Sequence, residues 1–220
     1  TIYVPLGIKV GPDKVVEVAR RAGIPESVAM MPTPSVVLGA ASPHVIDVAA
    51  AYATFAAQGV YAAPWFITEV DGSNGGVLYQ STPPTPNIVF TKEVMADLTF
   101  ALQQVVNNGT ATYGTAGFGR PAAGKTGTSE QNASAWFSGF TPQIAASVAM
   151  FRDDATQTLN GIGGLNSVTG GTFPAKIWTA FMKGALANQP VLNFPAPVHI
   201  GGTDPIVMTS GGKQTMKKKN

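Results

Sequence analysis

The apolar positions change period several times along the chain, and each change predicts an element. Within residues 13–22, Val15, Val18, Ala19 and Ala22 share one face, which predicts a short helix after the Gly11-Pro12 turn, ended by Gly23. Residues 25–42 read as a loop. Ser42 and Pro43 then supply a cap and a first helical position, and Val45, Val48, Ala49, Tyr52, Phe55 and Ala56 recur at helical spacing up to Gly59. Residues 60–70 are strand-like and run into Asp71-Gly72, a hairpin signal, with 77–79 returning. Thr91 caps a third helix carrying Val94, Leu98, Ala101, Leu102 and Val105, and Gly109 closes it.

Three strands are expected next, over about 122–128, 134–140 and 143–151. In the last, Ile144, Ala146, Val148 and Met150 alternate with Ala145, Ser147 and Ala149. Both sets are apolar or small, which predicts a central strand covered on both faces. Short turns between the three imply antiparallel pairing. Residues 152–173 form a polar, glycine-rich loop. Pro174 opens a last helix, with Ile177, Trp178, Phe181 and Ala185 expected inward. The class is α+β: an antiparallel β-sheet flanked by helices.

Composition narrows the function. The 220 residues suffice for one domain or a large part of one, 45% are hydrophobic and only 12% charged, so a buried core is expected. The net charge of +2 is concentrated in residues 198–220, which hold Lys213, Lys217, Lys218 and Lys219 against Asp204. Without them the 14 basic and 12 acidic residues fall to 10 and 11, leaving no basic face for nucleic acid. Cysteine is absent, so disulfides and thiolate metal sites are excluded; no metal or cofactor is expected. The longest apolar stretch, 45–57, contains Asp47 and is too short to span a bilayer. Thr1 begins in mid-pattern and reads as a break point, with a lysine-ended, mobile tail expected at 198–220.

The chemistry concentrates in Gly119-Arg-Pro-Ala-Ala-Gly-Lys-Thr-Gly-Thr128, where two patterns overlap. Gly119 to Thr126 satisfies the phosphate-binding G-x-x-x-x-G-K-[ST]. Lys125 to Thr128 satisfies K-T-G-[ST], found in serine acyl-transferring enzymes. One lysine cannot serve both. A phosphate loop needs a core strand before the glycines and a helix starting at the Lys-Thr pair. Here Thr112 to Phe118 is no core strand, and Ala135 to Phe140 after the motif is strand-like, with no helix starting there. Context favours K-T-G-T.

Several stretches together resemble the bifunctional (class A) penicillin-binding proteins, the actinobacterial members above all. They are Leu38 to Gly59, Val105 to Ala111, Gly124 to Asn132, Ala135 to Pro142 and Pro174 to Met182. The resemblance covers residues 1–197 in the family's own order and implies the C-terminal portion of a transpeptidase domain, of the fold shared with serine β-lactamases. The family's S-x-x-K and S-x-N precede K-T-G. Neither is found there, and Thr1-Ile-Tyr-Val looks like the helix that follows S-x-N. Ser210-Gly-Gly-Lys213 spells S-x-x-K but lies after the motif in a glycine-rich tail, where coincidence is the simpler reading.

The resemblance implies a peptidoglycan D,D-transpeptidase that cross-links stem peptides through an acyl-enzyme and binds β-lactams. It would work on the extracytoplasmic side of the cell membrane, anchored outside this chain. The expected partner is the rest of the domain, which carries the nucleophilic serine. Lys125 would project into the cleft and attract the substrate carboxylate. Thr126 and Thr128 alternate with Gly127, so their side chains share a face. Both hydroxyls would bond that carboxylate, Gly127 would clear the wall, and the Thr128 N–H would be one oxyanion donor. Plain β-propensity also explains the threonines. A D,D-carboxypeptidase of the same fold, a P-loop NTPase and a non-catalytic scaffold module remain as alternatives. His44 and His199 have no triad or ligand partner, Trp136 and Phe137 are core or cleft-wall candidates, and Asp153-Asp154 reads as a solvated turn.

Overall fold

A computed structural model of the 220-residue chain describes residues 2–154 and 156–200. The expected tail beyond 200, with Ser210 and Lys213, lies outside the described residues, as does Thr1.

Two helices open the described chain, α1 (Tyr3–Val10) and α2 (Pro12–Ala22). Pro12 sits in the first turn of α2, where its missing N–H costs nothing, and Gly23 ends the helix at φ 125°. The third helix, α3, spans Val45–Ala56. Its cap is His44 rather than Ser42, because Asp47 reaches back to accept the His44 N–H at 2.9 Å. Pro43 therefore precedes the cap instead of opening the helix.

The strand expected over 60–70 is broken in two. Only β1 (Val60–Tyr61) and β2 (Glu69–Asp71) form, and Pro64 lies between them. A turn over 72–76 returns the chain as β3 (Val77–Gln80), antiparallel to β2, and β4 (Asn87–Ile88) pairs with β1. Helix α4 (Lys92–Asn107) follows, with the Thr91 hydroxyl accepting the Val94 N–H as expected of a cap.

The principal sheet consists of β5 (Ala123–Thr128), β6 (Ser134–Phe140) and β7 (Ala145–Phe151), in that order and antiparallel throughout. Among the described residues β6 is the middle strand, whereas β7 was expected to be central. Consecutive hairpins place the middle strand of three between its neighbours, and among the described residues nothing pairs with the outer edge of β7.

Register separates two faces. Phe137 pairs with Thr126 and Val148, so these three share one face with Ala135, Thr128 and Ala146. Helix α5 (Phe173–Ala185) covers that face. Its Trp178 meets the Phe137 ring edge-on at 5.2 Å and donates its indole N–H to the Gly139 carbonyl. Leu159 and Val168 from the 152–172 segment bury against Ala135, so that loop contributes core. The expected inward stripe of α5 is wrong in part. Ile177 and Phe181 are 47% and 55% exposed and Ala185 is exposed, while Trp178, Thr179, Met182 and the following Leu186 are buried. An apolar helix offers two adjacent stripes, and periodicity alone does not rank them.

On the opposite face stand Lys125, Gly127, Trp136, Ser138, Phe140 and Ser147. Helix α3 reaches this face at its Phe140 end, where the Tyr52 ring lies 6.3 Å away. After α5 the chain becomes a strap. Arg120 accepts this task at one end, donating to the carbonyls of Leu186, Gln189 and Pro190 at 2.6–2.9 Å. At the other end the Asp97 carboxylate on α4 accepts the N–H groups of Val198, His199 and Ile200 at 2.7–2.8 Å.

Candidate active site

Lys125, Thr126, Gly127 and Thr128 all lie in β5, whose sole partner among the described residues is β6. Among the described residues no strand pairs with the other edge of β5. This geometry removes the phosphate-loop reading. A phosphate loop would place Lys125 and Thr126 at a helix N-terminus, whereas both sit within an extended strand followed by a hairpin. Arg120, inside that overlapping pattern, instead ties down the end of α5.

The register sets Lys125 opposite Ser138 and Thr126 opposite Phe137, so the lysine and the two threonines leave β5 toward different faces. They share only its free edge. The Lys125 ammonium turns back to donate to the Thr126 carbonyl at 2.9 Å. Partial burial of the amine lowers its pKa from the usual lysine value, because desolvation disfavours the charged form. Beside it on the same face, Ser138 is buried and its hydroxyl lies 2.7 Å from that of Ser147 on β7. Lys125, Ser138 and Ser147 thus form a polar row across three strands.

On the other face the threonine hydroxyls have partners that sequence reasoning did not single out. Thr126 Oγ1 lies 2.6 Å from Thr110 Oγ1, in the turn between α4 and β5. Thr128 Oγ1 accepts the Gly170 N–H at 3.2 Å. Between the two threonines the strand shows this face only backbone, because Gly127 and Trp136 are directed to the other side, and Gly170 packs onto that backbone so closely that an added Cβ would stand 2.1 Å from the Trp136 carbonyl oxygen. Only glycine allows that approach. Thr110 sat inside one of the family-like stretches, the one signal that could have drawn attention to it; Gly170 carried none beyond its glycine pair.

Other candidates fall away from this edge. Phe137 is fully buried in the core, and Trp136, opposite Gly127, lines the lysine face. His44 caps α3 and the His199 ring stacks edge-on to Phe100 at 6.0 Å. Asp154 closes its own turn by accepting from the Thr156 N–H and hydroxyl. Among the described residues no cluster of three or more His, Asp or Glu side chains could hold a metal, and no helix is long and apolar enough to cross a membrane.

Comparison with known proteins agrees with this geometry. The family model described as the penicillin-binding protein transpeptidase domain matches residues 3–161. Penicillin-binding protein 1A of Mycolicibacterium smegmatis is 34% identical over 92% of this chain and 28% of its own length. Penicillin-binding protein 1A of Mycobacterium tuberculosis is 32% identical over 92% of this chain and 27% of its own. The chain thus spans roughly a quarter of the length of these relatives. The structure of PonA1 from Mycobacterium tuberculosis in complex with penicillin V superposes with a TM-score of 0.80 at 32% identity, covering 91% of this chain and 57% of that one. The matched strands, helices and motif together make this chain a member of the penicillin-binding protein transpeptidase-domain family.

Proposed function

We propose that this chain supplies one wall of the active site of a serine D,D-transpeptidase, which cross-links peptidoglycan stem peptides and is acylated by β-lactams. The observation that carries the proposal is the K-T-G-T strand at an open sheet edge, with a lysine of lowered pKa on one side and two hydroxyls on the other. The likeness to a penicillin V complex supports it. In this reading the Lys125 ammonium and the Thr126 and Thr128 hydroxyls converge across the edge on the substrate carboxylate. The Thr128 N–H stabilises the tetrahedral oxyanion, a contribution of about 3–4 kcal/mol in acyl-transfer enzymes.

The nucleophilic serine belongs to a separate segment of the same protein, carrying S-x-x-K and S-x-N. That segment packs on the Lys125 face and along the outer edge of β7, where the sheet is open among the described residues. The serine attacks the stem-peptide carbonyl, expels the terminal D-amino acid and forms an ester; an amine of a neighbouring peptide then displaces the serine. Water in place of the amine would make the same site a carboxypeptidase. The enzyme acts on the extracytoplasmic side of the membrane, through an anchor elsewhere in the protein.

Peptide mapping of the complete protein after penicillin treatment tests the assignment. The adduct is expected on a serine outside these 220 residues and on none within them. An adduct on Ser210 would overturn the proposed division of labour.

A further inference from the structure

Both hydroxyls of the K-T-G-T strand are held from behind by groups on other elements. An amide can only donate, so the Gly170 N–H fixes Thr128 Oγ1 as an acceptor at 3.2 Å. The Thr128 hydroxyl hydrogen is then free to point elsewhere. The pair formed by Thr110 and Thr126, at 2.6 Å, can run in either direction. If Thr110 donates, Thr126 is left with a free hydrogen, as Thr128 is. A carboxylate has no hydrogen to give, so an anion bound at this edge selects that arrangement.

We infer that Thr110 and the Gly170 amide are positioning donors that turn Thr126 and Thr128 into a matched pair of hydrogen-bond donors for the substrate carboxylate. This rests on the transpeptidase reading above and names two groups on which that site depends. The backbone is arranged to hold both donors. A Cβ on Gly171 would lie 1.9 Å from the Thr110 carbonyl oxygen, so the glycine pair is wedged between the α4–β5 turn and the face of β5. Thr172 stiffens the wedge, its hydroxyl accepting the Thr169 N–H at 3.0 Å and donating to the Thr169 carbonyl at 2.7 Å. The 169–172 turn thus carries one donor and packs against the turn that carries the other, although 60 positions of sequence separate Thr110 from Gly170.

The test uses the complete enzyme with Thr110→Val, Thr110→Ser and Thr126→Val, measuring acylation rates with penicillin V and with its methyl ester. Thr110→Val should lower the preference for the free acid by about three- to tenfold, the scale of one net hydrogen bond. Thr110→Ser should restore it, and Thr126→Val should lower it further. If Thr126→Val lowers the preference and Thr110→Val does not, the inference fails while the transpeptidase reading stands. If neither variant moves it, the carboxylate site itself is misassigned. An equal loss for acid and ester, not rescued by serine, would show that Thr110 is only structural. Thr110→Ala provides a second hydroxyl-free variant should the valine change the melting temperature.

Discussion

The two faces of the three-stranded sheet are built from alternate residues of the same strands, yet they are different materials. One is dry: Phe137 and Trp178 are fully buried, and Phe118 joins them with its ring 5.2 Å from that of Trp178. The other carries the polar row of Lys125, Ser138 and Ser147, with the rings of Tyr52 and Phe194 packed at its Phe140 end. A strand's period of two thus lets neighbouring residues answer to separate demands, packing on one side and chemistry on the other. Substitutions one position apart should then fail in different ways.

The largest effect is expected on the dry face. Trp178→Ala removes a fully buried indole and the N–H bond to Gly139, and should destabilise the domain by about 3–5 kcal/mol. Thermal unfolding would report this, while the molecules that remain folded should be acylated at the normal rate. A slowed reaction in that folded fraction would show that the two faces are not independent.

Thr126 and Thr128 are where the comparison blurs, because they stand on the dry side yet at its open rim. Thr→Val at either position should weaken acylation by carboxylate-bearing β-lactams far more than by their methyl esters. The scale is a charge-assisted hydrogen bond of roughly 1.5–3 kcal/mol. Equal losses would return both threonines to the structural side.

The smallest effect is expected at the Asp97 end of the strap. Three backbone N–H groups, that of His199 first, hold the Asp97 carboxyl below its usual pKa. A depressed carboxyl stabilises the fold above its unfolded pKa, and that contribution disappears as pH falls through the folded value. Asp97→Asn should accordingly raise hydrogen exchange at residues 198–200 several-fold at neutral pH and remove its acid dependence, with acylation unchanged. Slowed acylation would tie the strap to the site.

Much of this was legible in the sequence, and for identifiable reasons. Apolar, strand-like runs joined by short turns marked β5 to β7 closely, and the Thr91 cap located the start of α4. The lack of a following helix separated K-T-G-T from a phosphate loop. What stayed hidden was relational. Ile177 and Trp178 are both apolar, and only the position of Phe137 decides which one turns inward. Which strand borders β7 on its outer side depends on pairing, not on its own residues, and among the described residues none does. The contacts of Thr126 with Thr110 and of Thr128 with Gly170 bridge 16 and 42 positions, beyond any local pattern.

The central claim is that the open edge of β5 lines the acylation cleft, and Lys125→Ala in the complete enzyme tests it most directly. Because Lys125 is only partly buried and bonds a single carbonyl, its loss should leave the melting temperature almost unchanged. Second-order acylation by penicillin should fall by orders of magnitude. In the unmodified enzyme the same rate should decline on the alkaline side as the ammonium deprotonates, at a pH below the ordinary lysine value of 10.5, since desolvation lowers this pKa. Undiminished acylation in the alanine variant, with the fold intact, would contradict the account.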